Sequence, residues 1–145
     1  MPKIIGIVGS RRRNTPADFQ LVEKAFRKLY EPRDRIVSGG CPQGGDRFAE
    51  IIAIELAAPG RYELGDCLMW SLTKRHHLIK ELGAPFILHH ARWDQHGKAA
   101  GFMRNGLIVR DADVLIAAPS ADRTGGTEDS IKKYLNLGKK DLILV

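Results

Sequence analysis

The sequence has few of the residues that mark disulfide-stabilised or membrane-anchored proteins. Its 145 residues include only two cysteines, Cys41 and Cys67, which are too few for a disulfide framework and favour a reducing compartment. No apolar run approaches the roughly 20 residues that a membrane-spanning helix needs. The amino-terminal stretch MPKIIGIVGS is too short in its apolar part for a secretory signal. We therefore expect a cytoplasmic protein that does not contact a membrane.

Common motifs for metals and for bound cofactors are also missing. The five histidines form neither an HxxxH nor an HExxH pair, so we expect no metal site. Neither the Walker A pattern nor the GxGxxG pattern occurs, which disfavours an ATPase and a standard dehydrogenase. The sequence predicts no cofactor.

The charge is moderately positive, with a formal net charge of +6. Small basic clusters lie at residues 11–13, 74–75 and 132–133. This balance fits either a phosphate-containing metabolite or nucleic acid as a partner. Nucleic acid is not favoured, because basic and aromatic residues do not interleave as they do in nucleic-acid-binding surfaces.

Five short apolar runs have the composition of strands that are buried on both faces. They are continuous rather than alternating, rich in β-branched residues, and bounded by Gly, Ser or Pro. The runs are Lys3–Val8, Arg35–Val37, Pro85–His89, Val114–Ala117 and Asp141–Val145. Helical patterns separate them, which predicts an α/β fold: a three-layer, Rossmann-like domain with a five-stranded parallel sheet in the order 3-2-1-4-5.

The helices are predicted from apolar residues spaced three or four apart and from their end signals. Thr15 and Pro16 suit the start of the first helix. The others are expected after Asp46, over Asp66–Leu82, over Ala99–Val109, and after Thr127 with Ile131, Tyr134 and Leu135 facing inward. Residues 1–145 form one predicted domain with a helical insertion at about 58–77. The apolar stripe of the helical segment Asp66–Leu82, expected to pack on the domain or on a second subunit, is Leu68, Leu72, Ile79 and Leu82.

Three glycine-rich loops follow predicted strands and so should meet at one edge of the sheet. Glycines allow a backbone to approach a phosphate closely, and a following helix offers free N–H groups. The candidate ligand-binding residues in these loops are Gly9, Ser10, Arg11, Gly39, Gly40, Gly44, Asp46, Gly125, Gly126 and Thr127. The alternative is that the glycines only serve tight turns, and that Asp46 and Thr127 only cap their helices.

An ordered set of motifs resembles the SLOG superfamily, and within it the YspA/YpsA-related branch. The matching segments are Gly9-Ser10-Arg11, Ser38-Gly39-Gly40, Gly44-Gly45-Asp46-Arg47, Trp93, His96 to Gly101, Arg104-Asn105, Asp111-Ala112-Asp113 and Gly126-Thr127. The resemblance implies a Rossmann-like fold and a nucleotide or nucleotide-derived phosphate ligand, bound by a sensor or carrier. It also implies that Arg104 holds a phosphate or carboxylate and that Asn105 contacts a ribose or base. Dimers are common in similar families, so a homo-oligomer is expected.

Relatives implied by this resemblance suggest two further functions. The superfamily includes the lonely-guy phosphoribohydrolases and the DNA-processing protein A family. The first suggests an N-glycosidic hydrolase for nucleoside monophosphates, with Arg104 and Glu128, or Asp129, as catalytic residues; the second suggests a DNA-associated protein. The glutamate of the lonely-guy pattern falls on Ser130 here, so binding without turnover is the leading prediction. Two alternatives stay open for Trp93: it stacks on a base at the rim of a pocket, or it is a half-buried core residue.

Overall fold

The predicted apolar runs form one parallel sheet. The computed structural model describes all 145 residues. The strands are β1 (Ile4–Gly9), β2 (Arg35–Ser38), β3 (Phe86–Leu88), β4 (Val114–Ala118) and β5 (Leu142–Leu144). Every neighbouring pair is parallel and the order is β3-β2-β1-β4-β5. The predicted fold class and strand order are confirmed.

Seven α-helices flank the sheet: α1 (Pro16–Leu29), α2 (Gly45–Ala57), α3 (Leu64–Cys67), α4 (Leu72–Leu82), α5 (Trp93–His96), α6 (Ala100–Asp111) and α7 (Gly126–Asn136). A 3-10 turn at Gly97–Ala99 joins α5 to α6. At the start of α1, Thr15 and Asp18 form a reciprocal capping box, and Pro16 occupies the first turn as predicted. None of these helices combines the length and the apolar character needed to cross a bilayer.

Two apolar clusters make the three layers. On one face of the sheet, α1 and α2 bury Phe19, Phe26 and Phe48 against β1 and β4. On the other face, residues of α6 and α7, including Ile108 and Tyr134, pack against β1, β2 and β4. The continuous apolar strands are therefore covered on both sides, as their sequences require.

The prediction that Leu135 faces inward is wrong, since this side chain is 49% exposed. The buried stripe of α7 contains Thr127, Ser130, Ile131 and Tyr134. Leu135 follows Tyr134 and so lies about 100° further around the helix, beyond the edge of that stripe. Tyr134 lies within the buried stripe. Its hydroxyl donates to the backbone carbonyls of Asp113 and Asp141, which directly precede β4 and β5, each at 3.0 Å.

The single helix predicted over Asp66–Leu82 is also wrong. The chain forms α3, breaks over residues 68–71, and starts again as α4, because the Ser71 hydroxyl accepts a hydrogen bond from the N–H of Lys74 (3.1 Å) and caps a new helix. Gly83 ends α4 in the left-handed conformation, at φ 62°. The buried residues of α4 are Arg75 and Leu78, whereas the predicted stripe residues Leu72, Ile79 and Leu82 are half-buried.

Candidate functional site

A cavity opens where the strand order reverses, at the carboxyl ends of β1 and β4. Its volume is about 350 Å³, within the usual range for small-molecule sites. We call it the first cavity. Its walls come from the loop after β1, the loop between β4 and α7, and one face of α6. The predicted site residues that line it are Gly9, Ser10, Arg11, Asp46, Arg104, Asn105, Gly125, Gly126 and Thr127.

A second cavity of about 190 Å³ adjoins the first. Its lining is Arg11, Gly39, Gly40, Cys41, Pro42, His90, Ala91, Trp93 and Arg104. Three of these residues, Arg11, Cys41 and Arg104, also line the first cavity. The loops that follow β1, β2 and β4 thus meet at one sheet edge, but the glycines after β2 line the second cavity rather than the first.

The first cavity has a positive lining. Arg11, Arg12 and Arg104 contribute guanidinium groups, and Asp46 is the only carboxylate among its residues. Both oxygens of Asp46 already accept hydrogen bonds, Oδ1 from the Ser38 hydroxyl (2.6 Å) and Oδ2 from the Cys41 N–H (3.0 Å). Asp46 therefore orders the loop after β2, and the cavity keeps an excess of positive charge.

The amino terminus of α7 faces the first cavity without a side-chain cap. Gly125 occupies the N-cap position at φ 95°, a backbone conformation that favours glycine, and no side chain accepts from the first turn. Gly126 and Thr127, in the first turn of α7, line the cavity. Uncapped N–H groups with a helix dipole behind them form an anion site.

Arg104 lies at the junction of the two cavities. Its Nε is buried and has no hydrogen-bond partner. One terminal N–H points at the Gly39 carbonyl at a long 3.4 Å. A buried guanidinium N–H without a partner is costly unless a ligand accepts from it. Arg104 forms no ion pair with any carboxylate of the chain.

No family model, no curated protein and no solved structure matches this chain. The resemblance to the SLOG superfamily therefore stays a prediction from the motifs.

Asn105 has a supporting role in this geometry. Its Nδ2 donates to the Gly126 carbonyl (3.2 Å) and to Asp129 Oδ2 (3.1 Å). Both amide hydrogens are thus engaged by the first turn of α7. Asn105 holds α6 against the amino terminus of α7, and only its carbonyl oxygen stays free for a ligand.

Gly44 lines neither cavity. Its N–H donates to Asn14 Oδ1 at 2.8 Å, and a Cβ at this position would lie 2.5 Å from the Ser10 carbonyl oxygen. Its φ of 74° also favours glycine. Gly44 is needed because the loops after β1 and β2 pack in direct backbone contact.

Glu128 also lies outside both cavities. The Arg123 guanidinium binds both of its oxygens, at 2.7 and 3.0 Å, and holds the pKa of this carboxyl below its usual range. Ser130, at the position of the lonely-guy glutamate, does line the first cavity. Its hydroxyl donates to the Gly126 carbonyl at 3.2 Å, so no carboxylate occupies this wall.

Sequence reasoning missed the contact that closes the rim of the first cavity. Arg12 binds Asp122 through two hydrogen bonds of 3.0 and 2.7 Å and reaches Thr124 Oγ1 at 3.2 Å. This joins the loop after β1 to the loop after β4. Hydrogen bonds from Arg12, Ser120 and Thr124 hold the pKa of Asp122 well below its usual range. The basic cluster at residues 11–13 was the sequence signal, but its partner lies 110 residues away.

Proposed function

We propose that the protein binds a nucleotide or a nucleotide-derived phosphate ligand in the first cavity, as a sensor or carrier. The observation that carries this proposal is the unpartnered, buried Nε of Arg104 beside the uncapped amino terminus of α7. A guanidinium fork and a row of backbone N–H groups together suit an anion with several oxygens. A phosphate group meets both requirements.

The charge distribution supports binding of an anion. Arg12 is neutralised by Asp122, but Arg11 and Arg104 have no ion-pair partner. The one carboxylate of the cavity, Asp46, is engaged by two donors. A phosphate therefore meets uncompensated positive charge in a site partly shielded from water, where electrostatic attraction is stronger than in bulk solvent.

The same lining supports binding without base release. Stabilising an oxocarbenium-like transition state calls for a carboxylate at the reacting centre. Asp46 has no oxygen free of hydrogen bonds, and Glu128 is held outside by Arg123.

Both cysteines are free thiols, which supports placing this function in a reducing compartment, the cytoplasm.

The test is calorimetry with nucleoside mono- and diphosphates, ribose 5-phosphate and inorganic phosphate. Arg104→Ala is expected to weaken binding of any phosphorylated ligand about 10-fold or more, because a charge-assisted hydrogen bond is lost. Arg110→Ala is the matched control: it lies on the same helix, is exposed, and lines neither cavity. Unchanged affinity in Arg104→Ala, or no binding of any phosphorylated compound, would contradict the proposal.

A further inference from the structure

We infer that the second cavity receives the base of the ligand, stacked on Trp93, so that the ligand is an intact nucleoside phosphate rather than a sugar phosphate or free phosphate. This inference rests on the proposed function, because the phosphate must first be held in the first cavity. It narrows the ligand class from any nucleotide-derived phosphate to one that keeps its aromatic ring.

The two cavities are continuous at Arg104. Arg104, Arg11 and Cys41 line both, so a phosphate held by the guanidinium fork sits at the passage between them. The rest of the ligand has the second cavity beside it. The first cavity, of about 350 Å³, holds the phosphate, and the second has a volume of about 190 Å³. The second cavity is therefore the space that remains for the planar ring of the base.

Trp93 is an exposed aromatic wall of the second cavity. Its side chain is 55% exposed although it lines a concave surface, so it does not take the half-buried core position that the sequence left open. Its ring edge lies over Gly101, where a Cβ would come within 3.2 Å of Cη2. The missing side chain of Gly101 lets the ring lie close to α6. A tryptophan held in this way is a stacking surface for a base.

His90 supplies a polar group on the same lining. Its ring packs edge-on against His76, with 5.9 Å between the ring centroids. His76 is anchored in turn, since its Nε2 lies 3.0 Å from Oε2 of the buried Glu50. His90 thus has a fixed support behind it and can hydrogen-bond to the edge of a stacked base. No Asp or Glu lines the second cavity, so it suits an uncharged ring rather than a cationic group.

The experiment uses the whole chain in a Trp70→Phe background, which leaves Trp93 as its single tryptophan because the sequence has two. Adenosine and guanosine monophosphates, ribose 5-phosphate and inorganic phosphate are titrated by calorimetry and by tryptophan fluorescence. We expect the nucleoside monophosphates to bind about 10-fold or more tightly than ribose 5-phosphate and to quench Trp93, as base stacking predicts. Ribose 5-phosphate should bind without quenching.

Variants at Trp93 then separate stacking from structural support. Trp93→Ala should remove the preference for nucleoside monophosphates and leave the affinity for ribose 5-phosphate unchanged, whereas Trp93→Phe should retain most of the preference. If both ligand classes bind equally and Trp93→Ala changes neither, the inference is overturned and the proposed function stands. Equal weakening of both classes by Trp93→Ala would assign Trp93 a packing role and also overturn it. If no phosphorylated ligand binds the wild-type protein, the proposed function fails first.

Discussion

The side chain of Arg104 lies directly on the backbone of Gly39. A Cβ built on Gly39 would come within 2.8 Å of both Cδ and Nε of Arg104, closer than carbon and nitrogen atoms approach without a shift. Gly39 directly follows β2, and Arg104 lies 65 residues further along the chain on α6. The bare glycine surface is what allows the guanidinium to stand between the two cavities.

Gly39→Ala should therefore weaken binding of a nucleoside monophosphate about 10-fold, by displacing Arg104. Combining it with Arg104→Ala should add little, because both changes remove the same interaction. Calorimetry on the two single variants and the double variant measures this. Gly106→Ala on the same helix is the control: nothing lies within 4 Å of its Cβ position, so binding should be unchanged and stability should rise by about 0.5–1 kcal/mol. Wild-type affinity in Gly39→Ala would rule out the proposed positioning of Arg104.

Asp34 should make the fold sensitive to acid. Burial opposes its ionisation, but hydrogen bonds from Lys3 Nζ (2.6 Å), the Lys3 N–H and the Glu31 N–H (each 2.9 Å) outweigh this and lower its pKa. A carboxyl with a lowered folded-state pKa stabilises the fold above its unfolded pKa of about 4, and that stability is lost as the pH falls below it. Asp34→Asn should lower the free energy of unfolding by about 1–3 kcal/mol at neutral pH. It should also make the free energy of unfolding fall less steeply as the pH becomes acidic.

Urea unfolding at neutral and acidic pH measures both effects. Asp94→Asn, at an exposed position, serves as the control and should leave the free energy of unfolding unchanged at both pH values. If the free energy of unfolding falls equally steeply with acidic pH in Asp34→Asn and in wild type, Asp34 is not responsible for the acid sensitivity.

Arg75 should be among the residues whose loss destabilises the fold most. It is buried and donates to Glu50 Oε1 (3.0 Å), the Trp70 carbonyl (2.9 Å) and the Pro42 carbonyl (3.3 Å). Arg75→Met leaves the charge of Glu50 buried, with His76 as its only remaining side-chain partner, so a loss of about 3–5 kcal/mol is expected. The double variant Glu50→Gln/Arg75→Met should recover part of it.

The pH dependence of this loss has a defined sign. Burial raises the pKa of Glu50 even though Arg75 and His76 oppose the rise, and removing Arg75 must raise it further. A raised folded-state pKa favours the protonated fold, so the destabilisation of Arg75→Met relative to wild type should grow as the pH rises from the folded-state pKa of wild-type Glu50 to the higher one of the variant, and level off above it. Chemical denaturation across this range measures it; a loss independent of pH would contradict the assignment to Glu50.

Base release from nucleoside monophosphates should be undetectable above background. Glu128 is held by Arg123 outside the cavities, so Glu128→Ala should leave nucleotide affinity within about 2-fold of wild type, since an exposed ion pair contributes little. Chromatography of the reaction products and calorimetry provide the two measurements. If base release is fast and Glu128→Ala abolishes it, the protein is an N-glycosidic hydrolase and the binding-only function is wrong.

Local signals predicted most of the fold. The continuous apolar runs gave the five strands, and the Thr15 and Pro16 start of α1 was read from the sequence because a cap is made by neighbours in the chain. The break before Ser71 was missed because apolar spacing alone continued through it. Leu135 was misplaced because the centre of a helix's buried face depends on what packs against it.

The sequence by itself determined the sheet, its order and the edge at which the loops meet, since apolar periodicity and the handedness of βαβ units are properties of the chain. Which atoms at that edge stay available was decided only by the tertiary structure. The oxygens of Asp46 are taken by Ser38 and Cys41, the amide of Asn105 by α7, and the Nε of Arg104 is left without a partner beside Gly39. The reason is physical: hydrogen-bond capacity is used up by whichever groups folding brings within about 3 Å, and for Arg104 and Asn105 those groups lie 65 and 21 residues away in the chain.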